Sequence, residues 1–476
     1  MQRDLAASAA QLQWIIEGYS LFVSALILLG GALSDRFGRR AVFALGIAIF
    51  TAASFVCALA PTIDLLLIAR CVQGVGGALA TPGSLALISA FFSDDDRARA
   101  IGTWSGVSAM MSALGPVLGG WLTQSFSWRS VFALNVPLGV IVVAVCVLRV
   151  PESRDESAAH DIDVVGSALV TFGLGSLVYG LIALQGTGGA MPAWSAIAAG
   201  ALMLIGFALY ERFGTREPML RPDLFRSGAF SGANLYTLLL YAALSGSLYF
   251  VPFDLINVQG YSPLGAGAAL LPFVAIMALA SRWSGGLVKR IGARTPLVVG
   301  ALVAALGFVA FALPGIGGSY WATFFPAATL LGIGAALFVT PLTTVTMNAV
   351  DVADVGIASG INNVVSRVAG LVAIAALGFA LAATFSARLG PELAHAGVSP
   401  SVSREVERER DQILSGVALD GTIHAADRDR ATPAIQLAYV AGFRRTMEIA
   451  AALALGAAIV AMFGDLRSPR ERTAGA

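Results

Sequence analysis

The chain has 476 residues, of which 57% are hydrophobic and only 12% are charged. Soluble domains carry roughly 25% charged residues, so this composition excludes a disordered chain and an ordinary soluble enzyme. The formal net charge of +1 gives no electrostatic reason to expect a nucleic-acid partner.

Apolar segments long enough to cross a bilayer recur along almost the whole chain, which predicts an all-α polytopic membrane protein. About 20 helical residues cross roughly 30 Å of hydrocarbon. The sequence predicts thirteen spans, near residues 13–33, 41–60, 65–92, 100–122, 129–149, 162–184, 193–212, 229–253, 264–288, 296–314, 320–348, 357–384 and 437–464.

The basic residues give the predicted orientation of these spans. The connections after spans 1, 3, 5, 7 and 9 carry arginine or lysine, whereas the short ones after spans 2, 6, 8 and 10 carry none. The positive-inside rule therefore places the first set in the cytoplasm. The long charged connection at about 385–436 then lies outside the cell.

The reactive residue types show no pattern typical of a cofactor site or a catalytic centre. The only lysine, Lys289, is followed by Arg290, which excludes a Walker A motif. The three cysteines and three histidines have no metal-ligand spacing, and no histidine lies in a predicted span. We therefore expect no cofactor and no metal, and a membrane-embedded enzyme is disfavoured.

Two sequence echoes indicate a duplicated architecture. The segment GALSDRFGRR at 31–40 matches GGLVKRIGAR at 285–294 with an offset of 254, and GVGGAL at 74–79 matches GIGAAL at 332–337 with an offset of 258. Parallel repeats of this kind are typical of transporters that alternate access between two halves. Lys289 of the second copy stands where the first copy has Asp35.

Counting spans around the repeat predicts two pseudo-symmetric six-helix halves, at 1–155 and 216–476, with an inserted helix pair at 156–215. Two spans come before or end at the second repeat loop, but only one reaches the first. The N-terminal half is therefore expected to lack its first helix.

Four motifs taken together resemble the fourteen-span drug:proton antiporter family of the major facilitator superfamily. They are the loop GALSDRFGRR, then RCVQGVGGA at 70–78, GVSAMMSALGPVLGG at 106–120 and WRSVFALNVPLG at 128–139. The resemblance implies a major facilitator fold in the plasma membrane. It also implies export of amphipathic organic compounds or drugs in exchange for protons, by alternating access between the two halves.

The partners implied are the lipid bilayer, a small organic substrate and protons, for a protein that acts as a monomer and binds no nucleic acid. The family's first-helix carboxylate, usually assigned to proton coupling, has no counterpart in this sequence. The alternative is therefore a truncated or non-transporting membrane protein, either a remnant or a partner of another transporter.

The resemblance assigns a charge latch that stabilises the outward-facing state to the first cytoplasmic turn, at Gly31, Asp35, Arg36, Gly38, Arg39 and Arg40. Control of topology by the arginines alone is the simpler alternative. In the antiporter helix, small residues on two faces predict tight packing between two neighbours, and Pro116 permits a bend. Its candidate residues are Gly106, Gly115, Pro116, Gly119 and Gly120.

Charged side chains inside spans are costly, by about 2.5–3.5 kcal/mol at the helix centre on insertion scales, so each is a candidate for coupling. Arg70 and Gln73 lie on a polar, small-residue stripe that faces the central cavity or a neighbouring helix. Glu17, one turn into span 1, and Asp254, at the end of span 8, are the candidate proton sites.

Two further sets are candidates for lining a substrate cavity. Asn362, Asn363 and Arg367 make one stretch of span 12 too polar for lipid, which indicates a cavity wall or a contact between halves, with packing inside the helix bundle as the alternative. Tyr236 and Tyr241 of span 8 could stack on an aromatic substrate, although aromatic residues in spans more often serve packing.

Overall fold

The structure is a computed structural model that describes residues 2–5, 7–92, 94–154, 163–185, 190–215, 222–350, 355–408 and 425–464. Every regular element in these ranges is helical. Twelve helical segments of the described residues are long and apolar enough to cross a membrane. The predicted class, an all-α polytopic membrane protein, is therefore confirmed.

The chain divides into two compact units. Unit 1 contains Gln13–Gly180 and Met191–Pro222, and unit 2 contains Gln2–Leu12, Leu181–Ala190 and Asp223–Ala476. The short helix α1 (Gln2–Leu5) belongs to unit 2. The helices that lie wholly or mainly in unit 1 are α2 (Ala9–Phe37, whose first turn falls in unit 2), α3 (Arg39–Leu59), α4 (Ile63–Phe91), α5 (Asp94–Ser125), α6 (Trp128–Ala133), α7 (Asn135–Arg149), α8 (Val164–Ala183, whose last three residues fall in unit 2) and α9 (Ala190–Phe213, whose first residue falls in unit 2).

The long C-terminal segment of unit 2 follows a 3-10 turn at Pro222–Arg226 and contains eight described helices. They are α10 (Gly228–Asn257), α11 (Pro263–Ala269), α12 (Leu271–Ile291), α13 (Arg294–Ala312), α14 (Phe324–Asn348), α15 (Val355–His395), α16 (Pro400–Arg408) and α17 (Ala425–Phe463). The predicted inserted pair forms α8 and α9, which pack on each other where Gly200 meets the carbonyl of Gly173.

The predicted duplication is visible in how the helices cross. A Cβ atom added to Gly76 of α4 would lie 2.7 Å from the carbonyl oxygen of Gly46 on α3. A Cβ atom on Gly334 of α14 would lie 2.8 Å from the carbonyl oxygen of Gly300 on α13. Small residues let backbones approach this closely, so equivalent glycines build the same crossing in both units.

The crossing of α2 with α4 is repeated in the same way. A Cβ atom on Gly74 would lie 2.6 Å from the carbonyl oxygen of Tyr19, and one on Gly332 would lie 2.9 Å from that of Phe273. Tyr19 and Phe273 are related by the offset of 254, and the two glycines by the offset of 258. Three helices of each unit therefore share one packing scheme.

Helices α5 and α15 depart from this similarity. Helix α15 packs against α10, α14 and α17, whereas the main neighbours of α5 are α4 and α6. A Cβ atom on Gly370 of α15 would lie 3.0 Å from Ser245 of α10, but one on Gly115 or Gly119 of α5 would meet nothing within 4 Å. No described residue packs against these two glycines, so the tight packing predicted for them stays a prediction.

The predicted outer loop at about 385–436 is largely helical where the structure describes it. Helix α15 continues to His395, α16 follows, and α17 begins at Ala425. The side chains of Leu393 and Val406 are fully buried, which explains why the charged sequence around them folds instead of staying extended. Residues 409–424 of that loop lie outside the described ranges.

Candidate functional site

The predicted latch loop lies between α2 and α3 in unit 1. Gly38 has φ of 115°, a conformation that favours glycine, and it ends α2 one residue before α3 starts. The Asp35 carboxylate pairs with the Arg39 guanidinium at 2.9 Å, one turn away. The Arg36 guanidinium lies 5.3 Å from the centre of the Phe37 ring. A Cβ atom added to Gly31 would lie 3.8 Å from the Pro82 side chain of α4.

Glu152, which the sequence reading missed, completes this loop. Its carboxylate accepts hydrogen bonds from the backbone N–H groups of Arg40 at 2.9 Å and Ala41 at 3.2 Å. It also lies 3.6 Å from the Arg40 side chain. Glu152 therefore caps α3. Its carboxylate accepts hydrogen bonds from free N–H groups and is stabilised by the positive end of the helix dipole.

The second repeat loop also turns at a glycine with positive φ, but that glycine has a different environment. Gly292, equivalent to Gly38, has φ of 75°, and a Cβ atom added to it would meet nothing within 4 Å. A Cβ atom on Gly38 would lie 2.7 Å from the carboxylate of Glu152. The side chain of Lys289 lies outside the described part of the chain, so its role stays a prediction.

Arg70 is the centre of a polar cluster that joins several helices of unit 1. Its Nε donates to the carbonyl oxygen of Ile15 at 2.7 Å, and its Nη1 donates to Gln73 Oε1. The Gln73 amide in turn donates to Ser54 Oγ of α3. The guanidinium also lies 4.5 Å from the centre of the Tyr19 ring. The polar stripe on α4 therefore contacts α2 and α3, and a neighbouring helix is one of the two environments predicted for it.

No carboxylate among the described residues forms a salt bridge with Arg70. Its positive charge is stabilised instead by a carbonyl oxygen, by the Gln73 amide and by two aromatic rings, with Phe132 at 5.7 Å as the second. Direct pairing of Arg70 with a described proton-binding carboxylate is therefore not seen.

Glu17 is completely buried in unit 1. Neither carboxyl oxygen makes a hydrogen bond of good geometry with a described residue, although Gln13, one turn earlier, interacts with the group. Burying an ionised carboxylate without hydrogen bonds is costly. The role of Glu17 as a proton site stays a prediction, for which this burial is one requirement.

Asp254 is the corresponding buried carboxyl group of unit 2, with 1% of its surface exposed. Its Oδ2 accepts a hydrogen bond from Gln259 Nε2 at 3.3 Å, and its Oδ1 has no described partner. Tyr439 of α17 lies close enough to interact electrostatically with this carboxyl group. Asp254 therefore lies among α10, the turn that follows α10, and α17.

The predicted cavity residues separate into two groups. Asn362 donates to Asn234 Oδ1 at 3.1 Å and to Thr237 Oγ1 at 2.7 Å, which ties α15 to α10. The buried Tyr236 donates to the carbonyl oxygen of Leu297 at 2.8 Å. Both side chains serve packing within unit 2, so a role in a cavity would require these contacts to break.

The remaining cavity and antiporter-helix candidates are more accessible. Asn363 is exposed, and Arg367 and Tyr241 are half-buried. In α5, Pro116 is exposed and Gly120 is half-buried, while the surroundings of Gly106 lie outside the described part of the chain. The exposure of these positions does not decide what they do, so their roles stay predictions.

Comparison with known proteins identifies a family and its relatives. The family model described as Major Facilitator Superfamily matches residues 1–374. The multidrug resistance protein Stp of Mycobacterium tuberculosis is 35% identical over 86% of this chain and 76% of its own length. The tetracenomycin C resistance and export protein of Streptomyces glaucescens is 32% identical over 99% of this chain and 88% of its own length.

Solved structures show the same fold. The crystal structure of the nucleoside transporter NupG aligns with a TM-score of 0.59, covering 97% of this chain and 92% of that one. The two sequences are only 13% identical, so this likeness concerns the arrangement of helices and not the substrate.

Proposed function

This chain belongs to the Major Facilitator Superfamily and is a multi-pass transporter of the plasma membrane, and we propose that it exports amphipathic organic compounds in exchange for protons. Export is supported by the relative named as a tetracenomycin C resistance and export protein, because the similarity to it extends over 99% of this chain. The relative named as a multidrug resistance protein supports a broad substrate class.

Two buried carboxyl groups support the proton part. Glu17 and Asp254 are almost inaccessible to solvent, and each has at least one oxygen without a described hydrogen-bond partner. A proton can drive transport only if it binds one conformation better than another. A carboxyl group whose burial disfavours the charged form meets this requirement if one conformation exposes it to water.

The test is efflux of a cationic fluorescent dye from cells that express the 476-residue chain, with and without a proton ionophore. We expect efflux that stops when the proton gradient is collapsed. Glu17→Gln and Asp254→Asn should reduce gradient-driven efflux by about tenfold each, because a neutral amide cannot carry the proton. Asp64→Asn is the matched control, since Asp64 is an exposed carboxylate at the start of α4.

Efflux that continues without a proton gradient would refute antiport while leaving export intact. Complete lack of efflux, with normal amounts of protein in the membrane, would favour the alternative of a non-transporting protein. Full efflux activity in both carboxyl variants would show that other residues bind the transported proton.

The proposal includes the fourteen-span form of the family, in which one further transmembrane helix completes unit 1. The support is the comparison between α5 and α15: α10 covers Gly370 of α15, whereas no described helix covers Gly115 and Gly119 of α5. The intact mass of the protein from its native membrane tests this. A mass above that of the 476-residue sequence supports a further helix from the same polypeptide, and an equal mass contradicts it.

A further inference from the structure

Gln259 binds two separate parts of unit 2 with one side-chain amide. Its Nε2 donates to Asp254 Oδ2 at 3.3 Å and to the carbonyl oxygen of Gly315 at 2.9 Å. Its Oε1 accepts from the backbone N–H of Gly317 at 2.9 Å. An amide has two donor hydrogens, so both are used and the orientation of the group is fixed by three bonds.

The two glycines belong to the loop between α13 and α14, residues 313–323, which we call the α13–α14 loop. Its residue Ile316 lies between them and is 42% exposed. The other described side-chain bond that fixes this loop to a different element is made by Tyr320, whose hydroxyl donates to the carbonyl oxygen of Ala269 at 2.9 Å. The Gln259 amide therefore holds the first half of the loop.

We propose that Gln259 is a positioning residue that transmits the protonation state of Asp254 to the α13–α14 loop. This inference rests on the proposed function, because it assumes that Asp254 gains and loses a proton. An ionised carboxylate is a strong, charge-assisted acceptor for the Gln259 N–H. A protonated carboxyl group is a weaker acceptor and carries a donor of its own, so the amide loses one of the three bonds that fix it.

The consequence is a loop that is held when Asp254 is ionised and loosened when Asp254 is protonated. Because α13 enters at Arg294 on the predicted cytoplasmic side, this loop lies on the predicted outer side of the membrane. Protonation from that side would therefore change the loop next to the site where the proton enters.

The other ionisable groups around this site leave Asp254 as the group that responds. Asp254 and Tyr249 of α10 both act electrostatically on Tyr439 of α17. Arg444 of α17 donates to the carbonyl oxygen of Ala312 at 2.8 Å, and an arginine keeps its charge at every relevant pH. Burial, with a smaller contribution from Tyr261, raises the pKa of Tyr320 in the loop, so its phenol stays protonated.

The test measures how fast a cysteine at position 316 reacts with a maleimide as the pH changes. Ile316→Cys is made in the full chain with Cys57, Cys71 and Cys146 replaced by alanine, and the protein is placed in lipid nanodiscs, so that both faces are accessible. Thr432→Cys, on an exposed turn of α17, corrects for the pH dependence of the reagent. The measured quantity is the ratio of the two labelling rates.

We expect this ratio to rise about threefold from about pH 8 to about pH 5.5, as expected for the loss of one hydrogen bond. In Asp254→Asn and in Gln259→Leu, the ratio should be high and independent of pH. Gln436→Leu is the matched control, because Gln436 also donates to a carbonyl oxygen across elements, that of Val258, and makes no described hydrogen bond to Asp254. That variant should keep the pH response.

A pH response that persists in Gln259→Leu would overturn the proposal, and so would a ratio that does not change with pH in the parent. The outcome is independent of transport. A loop that responds to pH in a protein whose efflux ignores the proton gradient would contradict antiport but support the role of Gln259. Gradient-driven efflux without a loop response would support antiport but contradict the role of Gln259.

Discussion

The crossings of α3 with α4 and of α13 with α14 are built alike, whereas α5 and α15 meet different surroundings. A Cβ atom added to Gly76 or to Gly334 would lie under 3 Å from a partner backbone, so the two units use the same small-residue contact. Gly370 of α15 is covered by α10, but Gly115 of α5 has open space around it. The comparison shows that a repeated sequence motif predicts a helix contact only where the helix it packs against is repeated as well.

We expect the largest loss of stability from substitutions at Gly76 and Gly334, the two glycines of the shared crossing. Gly76→Leu and Gly334→Leu should each lower stability by about 3 kcal/mol, because the new side chain meets backbone atoms that have no room to move. Thermal unfolding of the purified protein in detergent measures the effect. If one variant were tolerated and the other were not, the two crossings would not be equivalent.

Matched leucine substitutions test the difference in surroundings between α5 and α15. Gly370→Leu should destabilise the protein by about 1–3 kcal/mol, because it meets Ser245 of α10. If a further helix covers α5, Gly115→Leu should cost a similar amount. Gly206→Leu on α9, which also has open space around it, is the control and should be neutral. A neutral Gly115→Leu would contradict the fourteenth span.

The two repeat loops offer a smaller test. Gly38→Ala should lower stability by about 2 kcal/mol, because it combines a positive φ with crowding against Glu152. Gly292→Ala should cost only about 1 kcal/mol, since its positive φ is the sole strain there. Unfolding midpoints of the two variants, measured side by side, check the order. Equal losses would mean that the Glu152 cap adds no constraint.

The positions of the charged side chains show where sequence reasoning stops. Arg70 and Glu17 were candidates because charges inside apolar spans are costly, and composition alone reveals that. The partners of Arg70 were not predictable, because Ile15 lies 55 residues away in the chain and offers only a carbonyl oxygen. Glu152 was missed for the same reason, since it is 112 residues from the helix start that it caps.

The sequence by itself determined the membrane helices, their repeat and the candidate charges, because hydropathy and motif spacing are local properties of the chain. Only the tertiary structure decided that the polar stripe of α4 contacts α2 and α3, that Asn362 bonds to α10, and that Gln259 joins Asp254 to the α13–α14 loop. These contacts depend on how helices rotate and cross. Packing of whole faces sets that rotation, and no short segment of sequence contains it.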